Sequence, residues 1–306
     1  MVTPQIKADK LAEKIGLTTD LYLKREDLHP MGSHKGRSLP LMIDKYAGEG
    51  IKNFVISSSG NAALAAAKHI KKLGLNLTIF VGEKIDQEKL ASLLSFRTER
   101  GISVVQVKNP KQQALQMDKA GQAKNLRQST DDQALFGYHE LAKELSEIKN
   151  LQAIFVPTSS GTTAQGLYDG FQIIGLNPQI HIVQTTACHP IVDVISLSSR
   201  LERSEMEGSL GFTRDDSGGV AMTSIASAIV DKVAQRKNKV AQVIKNSRGQ
   251  GWIATDAEII EAIKLIQSTE QIDASPNSAL SLVGLLQSLK SGYKFTGPVI
   301  CLLTGK

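Results

Sequence analysis

The sequence is poor in several features that usually announce a function. It has two cysteines in 306 residues, Cys188 and Cys301, with no CxxC and no histidine pair at ligand spacing. That argues against a disulfide framework or a zinc site and fits a reducing, cytoplasmic setting. Aromatic residues are only 5% of the chain, and no run of five or six basic residues occurs. The balance of 36 Lys and Arg against 30 Asp and Glu leaves a mild +6. Base-stacking platforms and a nucleic-acid partner are therefore not expected, whereas attraction of small anionic ligands is consistent with the charge. No stretch approaches the ~18 uninterrupted apolar residues of a membrane span, and the opening MVTPQIKADKLAEKIG has no apolar signal-like core. Neither secretion nor membrane insertion is expected. GxGxxG, GxxxxGK[ST] and GxSxG are missing as well, which demotes a dinucleotide dehydrogenase, a nucleoside triphosphatase and a serine hydrolase.

What is present is an ordinary globular balance, 41% hydrophobic and 22% charged, over a length that suits two lobes at about 150 residues each. Short apolar runs alternate with amphipathic helical patterns: strand-like 53–56 (NFVI), helical 62–73, strand-like 77–81 (LTIFV), helical 87–100, strand-like 103–107 (SVVQV). The rhythm resumes with 153–157 (AIFVP), helical 163–175, 180–184 (IHIVQ) and 299–303 (VICLL). Uniformly apolar strands separated by helix-length segments predict an α/β fold with parallel sheets covered on both faces. Two mostly parallel sheets, one per lobe, follow. The polar stretch 110–132 has room for one helix and the crossing between lobes, so the smaller lobe is assigned to 35–130 and the larger to 1–34 with 131–306. The polar stretch 201–219 (LERSEMEGSLGFTRDDSGG) reads as an excursion, either a long loop or an active-site flap.

Four segments have chemical potential. SSSGNAALAAA, residues 57–67, runs from a strand through a tight turn into an Ala-rich helix. Ser58, Ser59, Gly60, Asn61 and Ala62 there either cap the helix or bind an anion at its positive end. VPTSSGTTAQGL, residues 156–167, repeats that geometry, and Ser159, Ser160, Gly161, Thr162 and Thr163 offer hydroxyls and N–H groups around a phosphate-sized concavity. In LYLKREDLHPMGSHKGR, residues 21–37, Lys35 stands just ahead of a helical pattern, where the helix dipole and burial both lower an amine's pKa. A solvated surface lysine is the plain alternative. Thr304 closes the apolar strand at the C-terminal end, where strands of such sheets face a ligand crevice, although it could equally be an ordinary strand end.

Taken together, these pieces resemble the fold-type II family of pyridoxal-phosphate enzymes, most closely its threonine synthase branch. KREDLHPMGSHKGR is similar to the family's KxExxNPTGSFKDR segment, which carries the Schiff-base lysine. SSSGN is similar to its Ser-Gly-Asn turn, PTSSGTTAQGL to its phosphate loop, and CLLTG to its final strand. The resemblance implies a cleft between two lobes, pyridoxal 5'-phosphate held on Lys35, and Asn61 at the cofactor's phenolic oxygen. It further implies Ser159, Ser160, Gly161, Thr162 and Thr163 at the phosphate and Thr304 at the ring nitrogen. Residues Ser58, Ser59, Gly60, Asn61 and Ala62 would seat the substrate's α-carboxylate. It implies a threonine synthase-like lyase acting on a small amino-acid substrate, O-phosphohomoserine or a related activated amino acid, in a homodimer. A serine/threonine ammonia-lyase and a non-catalytic binder of phosphorylated ligands stay open beside it. His34, where the branch has Phe, and Gly36, where it has Asp, depart from the pattern, as do Ser159 and Thr162 where the loop has Gly.

Overall fold

The computed structural model describes residues 2–96, 101–207 and 223–305, without the side chains of 199–207. The chain opens with strand β1 (Gln5–Lys7), helix α1 (Asp9–Lys14) and strand β2 (Leu21–Arg25), then enters helix α2 (Lys35–Gly48). Next come β3 (Asn53–Ser57), α3 (Asn61–Leu73), β4 (Asn76–Gly82), α4 (Gln87–Leu94), β5 (Ile102–Val107), α5 (Pro110–Lys119) and the two-residue β6 (Lys124–Asn125). The second half runs α6 (Gln133–Leu145), β7 (Ala153–Pro157), α7 (Thr162–Ile173), β8 (Gln179–Thr185) and α8 (Pro190–Glu207). It ends with α9 (Lys237–Asn246), β9 (Gly251–Ala254), α10 (Asp256–Glu270), α11 (Pro276–Lys290) and β10 (Val299–Leu303).

The strands form two sheets. One has four parallel strands in the order β5-β4-β3-β6. The other has six in the order β1-β2-β10-β7-β8-β9, parallel except for the β1–β2 edge pair. Both faces of the larger sheet are covered, as its unbroken apolar strands require. Ala153 and Phe155 of β7 join one core with Val183, Val299 and Cys301, whereas Ile154 and Val156 join another with Ile180, Ile182 and Ile300. That alternation is the period of two of a strand read out as two separate cores. Helix α11 contributes a row of buried residues to the first core, and α6 and α7 build the second.

Two expectations are corrected. The stretch beginning at Leu201 is not a loop throughout, because α8 continues through Glu207; the remainder, 208–219, lies outside the described residues. The span 110–132 holds a strand besides its helix: β6 pairs with β3, and two residues are too few to show any hydrophobic period.

Candidate active site

The first turns of five helices open onto one cleft with about 240 Å³ of free space. Lys35 of α2, Ala62 of α3, Lys111 of α5, Thr162 and Thr163 of α7, and Asn277 of α11 all line it. The convergence follows from the sheets: parallel strands end on the same side, helices that follow a strand begin there, and α11, which leads into β10, starts there as well. Each helix start brings the positive end of its dipole to this side, so the cleft favours anions even where it holds no cation.

Lys35 is the first residue of α2, one position closer to the dipole than a residue preceding the helix, and it is half-buried on the cleft wall. Burial lowers its amine to about 8, so a usable share is neutral and nucleophilic near physiological pH. The helix that carries it is held by a buried ionic cluster. Arg37 donates to Glu26 through Nε and Nη2, each at 2.7 Å, and to Glu144 at 2.7 and 2.9 Å. Lys24 donates to the same Glu144 at 2.6 Å and to the Thr3 carbonyl at 2.8 Å. Gly36 is explained by its neighbours: a Cβ there would overlap the His29 ring and the Met31 side chain.

The turn at the start of α7 is built on Gly161, whose φ of 86° is left-handed and whose missing Cβ leaves room for Val240. Ser160 and Thr162 approach each other at 3.0 Å between hydroxyl oxygens, and Thr162 donates to the Gln128 carbonyl at 3.3 Å. Ser159 also lines the cleft, but its hydroxyl is already engaged. Its hydroxyl oxygen accepts the N–H groups of Val230 and Asp231 at 3.1 and 3.2 Å, fastening the segment that passes over this side of the cleft.

Of the residues singled out from sequence, Lys35, Ser58, Ala62, Ser159, Ser160, Gly161, Thr162, Thr163 and Thr304 line the one cleft. Ser59, Gly60 and Asn61 are not among its lining residues; Ser59 is exposed, and Asn61 lies against Gly305, where an added Cβ would come within 2.7 Å of Asn61 Nδ2. Sequence reasoning missed Lys111, Arg127, Asp231 and Asn277, all in the lining. Lys111 and Asn277 follow a Pro at a helix start, a readable signal. Arg127 lies just past the two-residue β6 and had none. Among the described residues no group of three or more His, Cys, Asp or Glu side chains is placed to hold a metal ion.

A family model described as pyridoxal-phosphate dependent enzyme matches residues 1–305. The chain belongs to the pyridoxal-phosphate-dependent enzyme family. The chain is similar to the threonine synthase of Methanocaldococcus jannaschii, 26% identical over 99% of this chain and 74% of that protein's own length. Among solved structures, a pyridoxal 5'-phosphate-dependent aspartate racemase superposes with a TM-score of 0.81 at 20% identity, covering 100% of this chain and 90% of its own. An L-serine ammonia-lyase from Rhizomucor miehei superposes at 0.77 with 18% identity, covering 100% and 93%. The structural likenesses establish the fold-type II architecture and no particular reaction.

The site fits this family's cofactor. Pyridoxal phosphate needs an amine for its aldehyde, donors for its phosphate and a partner for its ring nitrogen. The cleft offers Lys35, the N–H groups and hydroxyls at the start of α7, and the hydroxyl-bearing Thr304, which is 5% exposed at the end of β10. Gly161, left-handed and without a side chain, lines the cleft together with Thr162 and Thr163 at that helix start.

Proposed function

We propose that this enzyme is a threonine synthase-like lyase of amino-acid metabolism, acting on an amino acid with an anionic leaving group, O-phosphohomoserine or a close analogue. The observation that carries this reading is a second source of positive charge. Lys111 and Arg127 line the same cleft as Lys35, and neither belongs to the turn at the start of α7. If that turn holds the cofactor phosphate through N–H groups and hydroxyls, the two cations are left for another anion. The 26% identity to threonine synthases supports the same choice.

In this reading Lys35 holds the cofactor, with Ser160, Gly161, Thr162 and Thr163 at the phosphate, Asn61 at the phenolic oxygen and Thr304 at the ring nitrogen. Pyridoxal phosphate supplies, when bound, an electron sink that stabilises negative charge at the substrate α-carbon. The turn through Ser58 and Ala62, with Ser59, Gly60 and Asn61 between them, presents N–H groups to the substrate carboxylate. Lys35, with its lowered basicity, takes up and returns the proton at the α-carbon. Ala114 and Ile229, both buried, form apolar wall that limits water around it. Lys111 and Arg127 balance the charge gathering on the departing group.

The test is an assay of the purified enzyme for phosphate release from O-phosphohomoserine, beside an assay for keto acid from serine and threonine. Phosphate release, with KM raised roughly tenfold or more in Lys111→Ala or Arg127→Ala, is the expected result. Keto acid without phosphate release would replace it with the ammonia-lyase reading. Cofactor binding without either turnover would leave the non-catalytic binder.

A further inference from the structure

The carbonyl oxygen of Thr304 accepts two hydrogen bonds from one residue. His34 donates to it from its backbone N–H at 2.9 Å and from its ring Nδ1 at 2.7 Å. Since a carbonyl can only accept, Nδ1 carries the proton. Any residue at position 34 supplies the first bond. Only a side chain with a donor two bonds beyond Cβ supplies the second, and a phenylalanine there would have none.

The placement of this clamp is informative. Lys35 and Thr304 lie at opposite ends of the sequence, on α2 and just past β10. His34 is the N-cap residue of α2 and immediately precedes the lysine, so the ring ties the helix start directly to the strand end. The strand end is braced from the other side as well: the Gly305 carbonyl accepts from Ser275 and Ser278 at 2.5 and 2.7 Å, and Gly305 N–H donates back to Ser278 at 3.2 Å. Against this braced strand end, His34 holds the start of α2 by two hydrogen bonds. The imidazole itself lines the cleft and leans on the Tyr138 ring at 6.1 Å between centroids. Burial foremost, then the charges of Lys35, Arg37 and His29, hold the ring neutral, with its pKa down to about 3 despite the bond to Thr304. The clamp therefore adds no positive charge beside the Lys35 amine.

We propose that His34 is a positioning residue that fixes the separation between the Lys35 amine and the Thr304 hydroxyl, and so sets how the cofactor ring is held between them. The inference rests on the cofactor placement given above, in which these two residues meet opposite sides of one ring.

The experiment compares wild type with His34→Phe and His34→Asn, and uses Lys35→Ala to check the placement itself. Asparagine keeps a donor at the same distance from the backbone as Nδ1 and is a good helix N-cap. Each protein is stripped of cofactor, its apo melting temperature measured, and pyridoxal phosphate titrated back while the visible band of the lysine-bound cofactor is recorded. His34→Phe is expected to lose about tenfold in cofactor affinity, the scale of one lost partly buried hydrogen bond, and to shift the position of the band. His34→Asn should return both to near wild type. If His34→Phe melts too low to titrate, His34→Asn decides: a wild-type band and affinity support the clamp, and a defect like that of a non-donor side chain overturns it. Unchanged affinity and band in His34→Phe also overturn it. A band that survives in Lys35→Ala would remove the cofactor placement, and the inference with it.

Discussion

Arg37 and Glu144 stand 107 residues apart in the chain and are joined by two hydrogen bonds, from Nη1 to Oε1 at 2.7 Å and from Nη2 to Oε2 at 2.9 Å. With Glu26 and Lys24 they lock α2, α6 and β2 together through the first turn of the helix that Lys35 begins. The Arg37 and Glu26 side chains are 2% and 0% exposed, so neither can fall back on water if its partner is lost.

Arg37→Ala is therefore expected to destabilise the apo protein by about 3–5 kcal/mol, because it strands the Glu26 carboxylate in the interior. Denaturant unfolding of the apo protein checks this. A loss below 1 kcal/mol would mean that the cluster is surrounded by more water than its burial indicates.

Formation of the lysine–cofactor bond should follow the Lys35 amine. Burial brings that amine down from an ordinary 10.5 to about 8, so the rate of band formation on mixing apo protein with pyridoxal phosphate rises through pH 8. Stability follows the same group. Between about 8 and 10.5 the unfolded chain binds more protons at this residue than the folded one, so its contribution to stability increases as pH rises. Lys35→Met should lack that increase, and unfolding measured at several pH values across the window checks the sign.

Gly161→Ala should damage the turn at α7 twice over, through the left-handed φ of 86° and through overlap with Val240. Cofactor affinity is expected to fall by tenfold or more, on the scale of 1–3 kcal/mol for backbone strain of this kind. Val240→Ala added to it relieves the overlap and not the φ, so the double variant should recover only part of the loss. Equilibrium titration of the apo proteins distinguishes the two contributions.

Ser159→Ala is expected to leave cofactor affinity within about threefold of wild type, since the hydroxyl is engaged by Val230 and Asp231 and one such hydrogen bond has a net worth of about 1 kcal/mol. What should change is the segment it holds. Amide hydrogen exchange around residues 228–231 should quicken in the variant. A steep loss of cofactor affinity with unchanged exchange would place the hydroxyl on the phosphate instead.

The alternation of apolar strands with amphipathic helices was legible in the sequence because it depends on periods of two and 3.6 within short windows, and the two mostly parallel sheets follow from it. The turns at Gly60 and Gly161 were legible for the same local reason: small residues between a strand and a helix mark a helix start, and parallel strands bring such starts to one side. What only the tertiary structure decided is which of these residues share a wall and which partners they use. The Ser159 hydroxyl is taken up by the backbone of residues 230 and 231, Arg127 joins the cleft just past a strand of two residues, and Arg37 finds Glu144 across 107 positions. Those contacts are set by how helices and sheets pack on one another, and hydrogen bonds between groups so far apart along the chain leave no periodic trace in it.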